Sequence, residues 1–231
     1  MARGDPRDVL VLAARHAGAG YTSLGDLPDG SVIGTSSLRR TALLKRLHPR
    51  LVVKSVRGNL QLRLAKLDGG SGTEHPQRYD ALILAAVGMQ RMGYSHRITA
   101  LLPAAEFPYA VGQGSLGLEI RENDTRVAEL LRCLNDESAR EECEAERSFL
   151  RALAGGCRVP VGVSCVSAPE TGHLALQGWV WSTDGAAEFS ASGECAAGGA
   201  VHLGTRLAVE VQTSAREAGR GDVLDAVAII G

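Results

Sequence analysis

The sequence predicts an α/β fold with a parallel-rich sheet, followed by a small α+β C-terminal domain. Three short apolar runs, at residues 31–34, 51–56 and 81–87, alternate with two stretches of helical periodicity. Continuous β-branched and Leu-rich runs are typical of strands buried on both faces. A strand–helix–strand–helix–strand order favours parallel pairing through right-handed crossovers. The second half of the chain shows one long helical stretch and several strand patterns between turn residues.

Turn and capping residues set the expected element boundaries. Ser36 or Ser37 is a natural N-cap for the first crossover helix, and Asn59 is one for the second. The Gly-Gly pair at 155–156 is expected to end a helix that spans residues 137–153. The other expected elements are a strand at 8–14, a loop at 17–30, strands at 159–166, 171–182 and 188–196, and a helix at 207–218.

The composition is that of a globular protein. The chain has 231 residues, 45% of them apolar, and a formal net charge of −1. Its apolar runs are shorter than the ~20 residues that cross a bilayer, and its first residues lack the pattern of a signal peptide. Five cysteines without Cys-x-x-Cys spacing argue against a zinc ribbon and against a full disulfide framework. We therefore expect a cytoplasmic protein without a metal site.

Basic residues are concentrated at the expected junctions between strands and helices. Residues 34–98 hold twelve Lys and Arg against three Asp and Glu. Cations at a helix N-terminus oppose the helix dipole, each at a cost of about 0.3–1 kcal/mol. Because ligands of open parallel sheets bind beyond the carboxyl ends of the strands, this placement predicts a ligand with several negative charges. Two of the arginines lie in the first turn of the first helix, two lie around the start of the second, and one follows the third apolar run: Arg39, Arg40, Arg57, Arg63 and Arg91.

Two alternatives compete with this interpretation. For any single arginine, a solvated helix face explains the position about equally well, and only the set favours a ligand site. A basic face can also bind nucleic acid. Aromatic residues make up only 4% of the chain, and none lies among these arginines as a stacking platform. We therefore favour a polycarboxylate ligand and expect no nucleic-acid partner.

Five motifs in order resemble the porphobilinogen deaminase (hydroxymethylbilane synthase) family. They read GTSSLRR, KSVRGNLQLRLAKLD, YDALILAAVGMQRMG, YAVGQGSLGLEIR and LAGGCRVPVG. One such motif is only moderately specific, whereas five in the family's order and with similar spacing are very specific. The resemblance runs from about Arg3 to near the C-terminus.

The resemblance implies a transferase of porphyrin and haem biosynthesis that polymerises porphobilinogen into the linear tetrapyrrole hydroxymethylbilane and releases ammonia. Each pyrrole carries an acetate and a propionate, and the family holds the growing polyanion on a dipyrromethane cofactor. The matching Gly-Gly-Cys motif places the thioether to that cofactor at Cys157. The five arginines match the family's carboxylate-binding arginines. Thr35, Ser36, Ser37 and Gly58 can supply further hydroxyl and backbone hydrogen-bond donors beside these arginines. Porphobilinogen is the expected small-molecule partner. The resemblance also implies a monomer, and we expect no contact with a membrane.

Other interpretations of Cys157 and of the whole chain stay open. From composition alone, Cys157 would be a small buried apolar residue, which is the usual fate of a lone cysteine. The functional interpretation is a thiol on an exposed loop after a helix terminus, available as a nucleophile. For the whole chain, the alternative to the enzyme is a non-catalytic anion-binding module of the periplasmic-binding-protein type, which needs no thiol.

Within the family's architecture the chain divides into three parts. Residues 1–111 resemble a substrate-binding lobe with a periplasmic-binding-protein-like fold, 112–135 the returning segment of a first lobe, and 136–231 the C-terminal domain that carries the cofactor cysteine. The segment with the family's catalytic aspartate has no match, so we expect impaired turnover and assign no catalytic residue. Asp26 lies in a similar-looking Ser-Leu-Gly-Asp-Leu-Pro stretch, but its position indicates a turn residue. Residues 116–121 are expected to form a strand without most of its sheet partners.

Overall fold

The computed structural model describes residues 1–69, 78–153, 160–168 and 172–225, and it is a mixed α/β structure with two separate sheets. No helix within these ranges is both long and apolar enough to span a membrane. The first half contains the strands β1 (Asp8–Leu12), β2 (Val32–Gly34), β3 (Val52–Lys54), β4 (Ala81–Ala85) and β5 (Ala100–Leu101), and the helices α1 (Leu38–Leu47), α2 (Leu60–Asp68) and α3 (Ala86–Arg91). The second half contains α4 (Thr125–Leu131), α5 (Glu137–Ala152), β6 (Val161–Ala168), β7 (His173–Trp181), β8 (Glu188–Ala196), α6 (Ala200–Glu217) and α7 (Asp222–Asp225).

The first sheet has the strand order β3–β2–β4–β1–β5. As predicted, β2 pairs in parallel with β3 and with β4. Strand β1 lies between β4 and β5 and runs antiparallel to both, and Asp8 lies opposite Ala85 of β4 in the register. Because β1 is antiparallel, its amino end lies at the edge where the parallel strands end. This edge is where the sequence predicts the ligand.

Both faces of the inner strands β1 and β4 are buried, as the apolar run of β4 predicts. On one face, Leu10 and Ile83 share a core cluster with Trp181 from β7, so the second sheet packs against the first. On the other face, Val9 shares a cluster with Leu64 of α2. Successive residues of β1 therefore point to opposite cores, and neither face is left to solvent. The predicted burial of the run at 51–56 is wrong for the edge strand β3, where Val52 and Lys54 are exposed.

Side-chain caps begin the two crossover helices as predicted. Ser37 Oγ accepts a hydrogen bond from the Arg40 backbone N–H at 3.4 Å at the start of α1. Asn59 Oδ1 accepts from the Leu62 backbone N–H at 2.8 Å at the start of α2. The cap at Ser37 fixes Arg39 and Arg40 in the first turn of α1, at the carboxyl edge of the sheet.

The predicted third strand is too long. The apolar run 81–87 is not one strand, because β4 ends at Ala85 and α3 begins at Ala86. A short apolar run cannot distinguish a buried strand from a buried helix by periodicity. Arg91 therefore lies at the end of α3, where a cation is compatible with the helix dipole, and not at the start of a helix.

The predicted strand at 116–121 is also wrong. None of the described strands pairs with this segment, and Leu116 and Leu118 expose 57% and 53% of their surface. Alternating apolar residues form a strand only where a neighbouring strand accepts and donates the backbone hydrogen bonds. No such neighbour lies beside it in the described part of the chain.

The second sheet is antiparallel, with the order β6–β7–β8, and α5 and α6 cover it. Its strands and α5 confirm the predicted elements, with shifts of boundary. Helix α6 starts at Ala200, well before the predicted start at residue 207, although Gly204 lies inside it. A Cβ atom on Gly204 would lie 2.1 Å from Ser148 Oγ. The glycine therefore allows close packing of α6 on α5 and does not break the helix.

Candidate anion-binding site

A buried carboxylate and two buried guanidinium groups meet at the carboxyl edge of the first sheet. Asp8 has no exposed surface, while Arg39 and Arg40 expose 4% and 8%. Asp8 Oδ1 accepts a hydrogen bond from Arg40 Nη2 at 2.7 Å. Asp8 Oδ2 accepts from Arg39 Nη1 at 2.8 Å and from Arg40 Nε at 3.1 Å. We call Asp8, Arg39 and Arg40 the buried charge cluster.

Hydrogen bonds to distant parts of the chain fix this cluster. Arg40 Nη1 donates to the Ile83 carbonyl of β4 at 2.9 Å, and Arg39 Nη1 donates to the Pro108 carbonyl at 2.6 Å. Gln113 Nε2 donates to Asp8 Oδ1 at 2.8 Å. The two guanidinium groups are therefore ordered by the fold before any ligand binds.

The buried charge cluster has an excess of positive charge. Burial raises the pKa of the Asp8 carboxyl, but Arg39 and Arg40 outweigh burial and lower this pKa to about 2. Burial lowers the pKa of Arg39, yet an arginine side chain keeps its proton at neutral pH. Two cations thus face one anion. A buried net charge is unfavourable unless a further countercharge compensates it.

One buried donor of the cluster has no partner among the residues that the structure describes. Arg39 Nε is buried and makes no hydrogen bond with any of the described residues. An unsatisfied buried donor costs about 1–3 kcal/mol, and native structures contain few of them. A carboxylate oxygen from a ligand would satisfy this donor and neutralise the excess charge together.

The turn between β3 and α2 brings a third arginine near the cluster. Partial burial, and then Arg40, lower the pKa of Arg63, so Arg63 lies within electrostatic reach of Arg40. Arg63 Nε donates to the Gly58 carbonyl at 2.8 Å. Arg57 is exposed, and its guanidinium has no hydrogen bond or ion pair in the described part of the chain. This turn therefore offers one partly buried and one exposed cation.

The predicted hydroxyl and backbone donors shape the turns around the cluster. Ser36 Oγ donates to the Val56 carbonyl at 2.6 Å, and Ser37 Oγ caps α1. Thr35 is buried, and its Oγ1 accepts from the Ser37 backbone N–H at 3.2 Å. Gly58 has a φ angle of +122°, which favours glycine. These residues therefore hold the two turns that carry the arginines.

Arg91 is bound by a different segment. Its Nη2 donates to the Gly114 carbonyl at 2.9 Å, and this carbonyl also accepts from the Gly4 backbone N–H at 3.1 Å. Arg91 is exposed. The structure therefore pairs two of the five predicted arginines, Arg39 and Arg40, with Asp8 and brings Arg63 within electrostatic reach of Arg40. Arg57 is exposed, and Arg91 is attached to the chain near Gly114.

Sequence reasoning missed the residues that hold the arginines. It predicts Asp8 only as the first residue of a strand and Gln113 only as part of a family motif. One signal was available, because Asp8 opens an otherwise apolar strand pattern. An acidic residue at the start of a buried strand needs a countercharge, and the arginine pair of α1 supplies it.

The predicted attachment residue Cys157 falls outside the described residues. Of the other four cysteines, Cys165 is buried, Cys133 is exposed, and Cys143 and Cys195 are intermediate. Burial raises the pKa of the Cys165 thiol, which keeps it protonated and unreactive at neutral pH. Within the described ranges, no three His, Cys, Asp or Glu side chains are grouped to hold a metal ion.

Both halves of the chain are similar to known proteins. Residues 1–129 match the family model "Porphobilinogen deaminase, dipyromethane cofactor binding domain", and residues 140–213 match "Porphobilinogen deaminase, C-terminal domain". Curated proteins named porphobilinogen deaminase are similar to it as well. The protein from Synechococcus elongatus is 51% identical over 183 residues, and the one from Eremothecium gossypii is 44% identical over 229 residues.

The matched region covers most of this chain and part of each relative. The first alignment covers 79% of the chain and 53% of the relative, and the second covers 97% and 67%. The chain thus spans between about half and two thirds of the length of these relatives. Since the first family model alone matches more than half of the chain, this chain belongs to the porphobilinogen deaminase family.

Proposed function

We propose that this chain forms the carboxylate-binding and cofactor-carrying part of a porphobilinogen deaminase. Its arginines bind the acetate and propionate groups of dipyrromethane and of the pyrroles added to it, while porphobilinogen is converted into hydroxymethylbilane and ammonia. The observation that carries this proposal is the buried charge cluster, whose excess charge and unpaired Arg39 Nε call for one further carboxylate. Family membership supports a porphobilinogen-derived pyrrole as the source of that carboxylate.

The geometry of the cluster suits a carboxylate. A guanidinium presents its donors in a planar fork that matches a carboxylate group. Asp8 already occupies Arg40 Nε and Nη2, whereas Arg39 keeps its Nε free. A ligand oxygen that accepts from Arg39 Nε forms an ion pair in a buried setting, where solvent and salt screen it less than at the surface.

Arg57 and Arg63 extend the cationic region toward solvent. Arg63 is partly buried beside Arg40, and Arg57 is exposed one residue before Gly58. A ligand with several carboxylates contacts buried and exposed arginines together, so that each added contact strengthens the others. This division suits a ligand that is held at one end and extended at the other.

We assign the cofactor attachment to Cys157 on its Gly-Gly-Cys motif. A dipyrromethane joined there through a thioether supplies the primer to which porphobilinogen units are added. The buried charge cluster fits this group by charge, because each of its pyrroles carries two carboxylates. Arginines that hold these carboxylates fix the orientation of a primer that the thioether alone would leave free to rotate.

We assign no residue of this chain to the catalytic carboxylate. Such a group must be free to stabilise the positive charge that develops on a pyrrole in the transition state. Asp8 is not free, because guanidinium groups bind both of its oxygens. Asp26 is a turn residue, as predicted, since its carboxylate accepts from the backbone N–H groups of Thr22 and Ser23 at 2.8 Å. We therefore expect low turnover from these 231 residues alone.

The Cys157→Ser variant is expected to lose covalent dipyrromethane, because a hydroxyl is a far weaker nucleophile than a thiolate. The measurement is the intact mass of the purified chain after incubation with porphobilinogen or hydroxymethylbilane. The matched control is Cys133→Ser, which removes an exposed thiol and should keep the adduct. An adduct on Cys157→Ser would contradict the attachment site. No adduct on the wild type would favour the non-catalytic anion-binding module.

The Arg57→Ala variant is expected to bind porphobilinogen at least about tenfold more weakly, because hydrogen bonds to charged groups contribute about 1.5–3 kcal/mol and each 1.4 kcal/mol is tenfold. The free energy of unfolding should not change, since this exposed side chain has no partner in the described part of the chain. Isothermal titration calorimetry measures the affinity, and Arg216→Ala in the last turn of α6 is the control. Equal affinities of Arg57→Ala and the wild type would rule out this role for Arg57.

The Asp8→Asn variant is expected to lower the free energy of unfolding at pH 7 by about 3–5 kcal/mol, because it leaves two buried cations without their countercharge. The ordinary pKa of the Asp8 carboxyl is 3.8 and its folded pKa is about 2. The stabilisation by ionised Asp8 is therefore complete above about pH 4 and is lost as the pH falls toward 2.

Urea unfolding at pH 7 and between pH 4 and pH 2 tests this linkage. The stability difference between Asp8→Asn and the wild type should shrink as the pH falls through that window. Asp29→Asn, which removes an exposed ion pair with Arg50, should change the free energy of unfolding by less than about 1 kcal/mol. A difference for Asp8→Asn that stays constant with pH would contradict the assigned role of Asp8.

A further inference from the structure

The side-chain amide of Gln113 completes the hydrogen bonding of Asp8. Its Nε2 donates to Asp8 Oδ1 at 2.8 Å and to the Pro6 carbonyl at 2.5 Å. Both partners are acceptors, so the orientation of the amide is determined, since a flipped amide would point its oxygen at them. Each oxygen of Asp8 thus accepts two N–H groups, and Gln113 supplies the one that does not come from an arginine.

Charged residues at the start of the chain and on α5 hold Gln113 in turn. Arg3 Nε donates to the Gln113 carbonyl at 3.0 Å. The two Nη atoms of Arg3 donate to the two carboxylate oxygens of Glu146 at 2.6 and 3.0 Å. Glu146 is buried, and its Oε2 also accepts from the Gly112 backbone N–H at 2.7 Å. The main chain at 112–113 is therefore bound at two points to one ion pair.

The backbone beside Gln113 has little freedom to adjust. Gly112 and Gly114 have φ angles of +71° and +92°, which side chains other than glycine rarely adopt. A Cβ atom on Gly114 would lie 2.4 Å from the Gly4 carbonyl oxygen. The position of the Gln113 amide is thus set by the main chain and its contacts with Arg3 and Glu146.

We propose that Gln113 is a positioning residue of the anion-binding site. It fixes the Asp8 carboxylate, and through Asp8 it holds Arg39 and Arg40 so that Arg39 Nε stays free for a ligand carboxylate. Without the amide, Asp8 Oδ1 keeps only the hydrogen bond from Arg40 Nη2, so the carboxylate can tilt toward Arg39 Nε and occupy the donor that the ligand needs. This inference takes the nature of the ligand from the proposed function, but the arrangement of the side chains does not depend on it.

The Gln113→Glu variant gives the sharpest test, because only a protonated Glu side chain can donate to Asp8. The charged groups around this position are Asp8 with its two arginines, Arg3 with its partners Glu146 and Glu142, and Arg91 at the Gly114 carbonyl. When the new carboxyl is ionised, it faces Asp8 with like charge, which raises the pKa of one of the two. Acid pH therefore restores the hydrogen bond, and alkaline pH removes it.

Porphobilinogen affinity, measured by calorimetry at about pH 4.5, near the ordinary pKa of a Glu side chain, and at about pH 8, is the first readout. We expect Gln113→Glu to bind like the wild type at the lower pH and about tenfold more weakly at the higher pH. Gln113→Ala should bind about tenfold more weakly at both. The matched control is Gln90→Glu, which adds the same charge at an exposed position of α3 and should follow the wild type.

The second readout needs no ligand, namely the NMR signals of the Arg39 and Arg40 Nε–H groups in the free protein. Gln113→Ala should shift or broaden them, and in Gln113→Glu they should return to the wild-type positions as the pH falls. Should Gln113→Ala fail to fold, the pH response of Gln113→Glu decides the question. Unchanged signals in Gln113→Ala, or signals independent of pH in Gln113→Glu, would overturn the inference. If the wild type does not bind porphobilinogen but the Nε–H signals of the Gln113 variants respond as expected, the proposed function is overturned and the positioning role of Gln113 remains.

Discussion

The ion pairs between Asp8 and two buried arginines hold the candidate site together. The partners come from the first strand and from the first turn of α1, and further hydrogen bonds tie them to β4 and to Pro108. Placing charges in a protein interior costs several kcal/mol per ion, so such a cluster persists only where nearly every donor and acceptor is paired. Among the described residues, the exception is Arg39 Nε. The same interactions that close this edge of the sheet thus leave one buried donor unpaired.

The cluster also explains why arginines occupy the first turn of α1, where the helix dipole disfavours cations. Asp8 compensates part of their charge, because the antiparallel direction of β1 brings its amino end beside the carboxyl ends of the parallel strands. Compensation is incomplete, since one carboxylate faces two guanidinium groups. In the proposed function, the acetate and propionate groups of the ligand compensate the positive charge that Asp8 leaves uncompensated. Gln113 and Arg3 keep Asp8 and its two arginines in the orientation that this binding requires.

Much of the fold follows from local sequence. The caps Ser37 and Asn59, the parallel pairing of β2 and the long helix α5 are all readable from capping residues and periodicity. The position where β4 ends cannot be read from the sequence, because an apolar run suits a strand and a helix equally well. The role of Asp8 depends on the direction of β1, which no local pattern encodes. Likewise, the strand pattern at 116–121 lacks a described partner, and a strand is defined by its neighbours.

The most direct test is a crystal structure of this chain with porphobilinogen bound. We expect a pyrrole carboxylate oxygen about 2.7–3.2 Å from Arg39 Nε, with Asp8 still bound to both arginines. A ligand whose carboxylates contact only exposed arginines, with Arg39 Nε paired to a protein group, would contradict it.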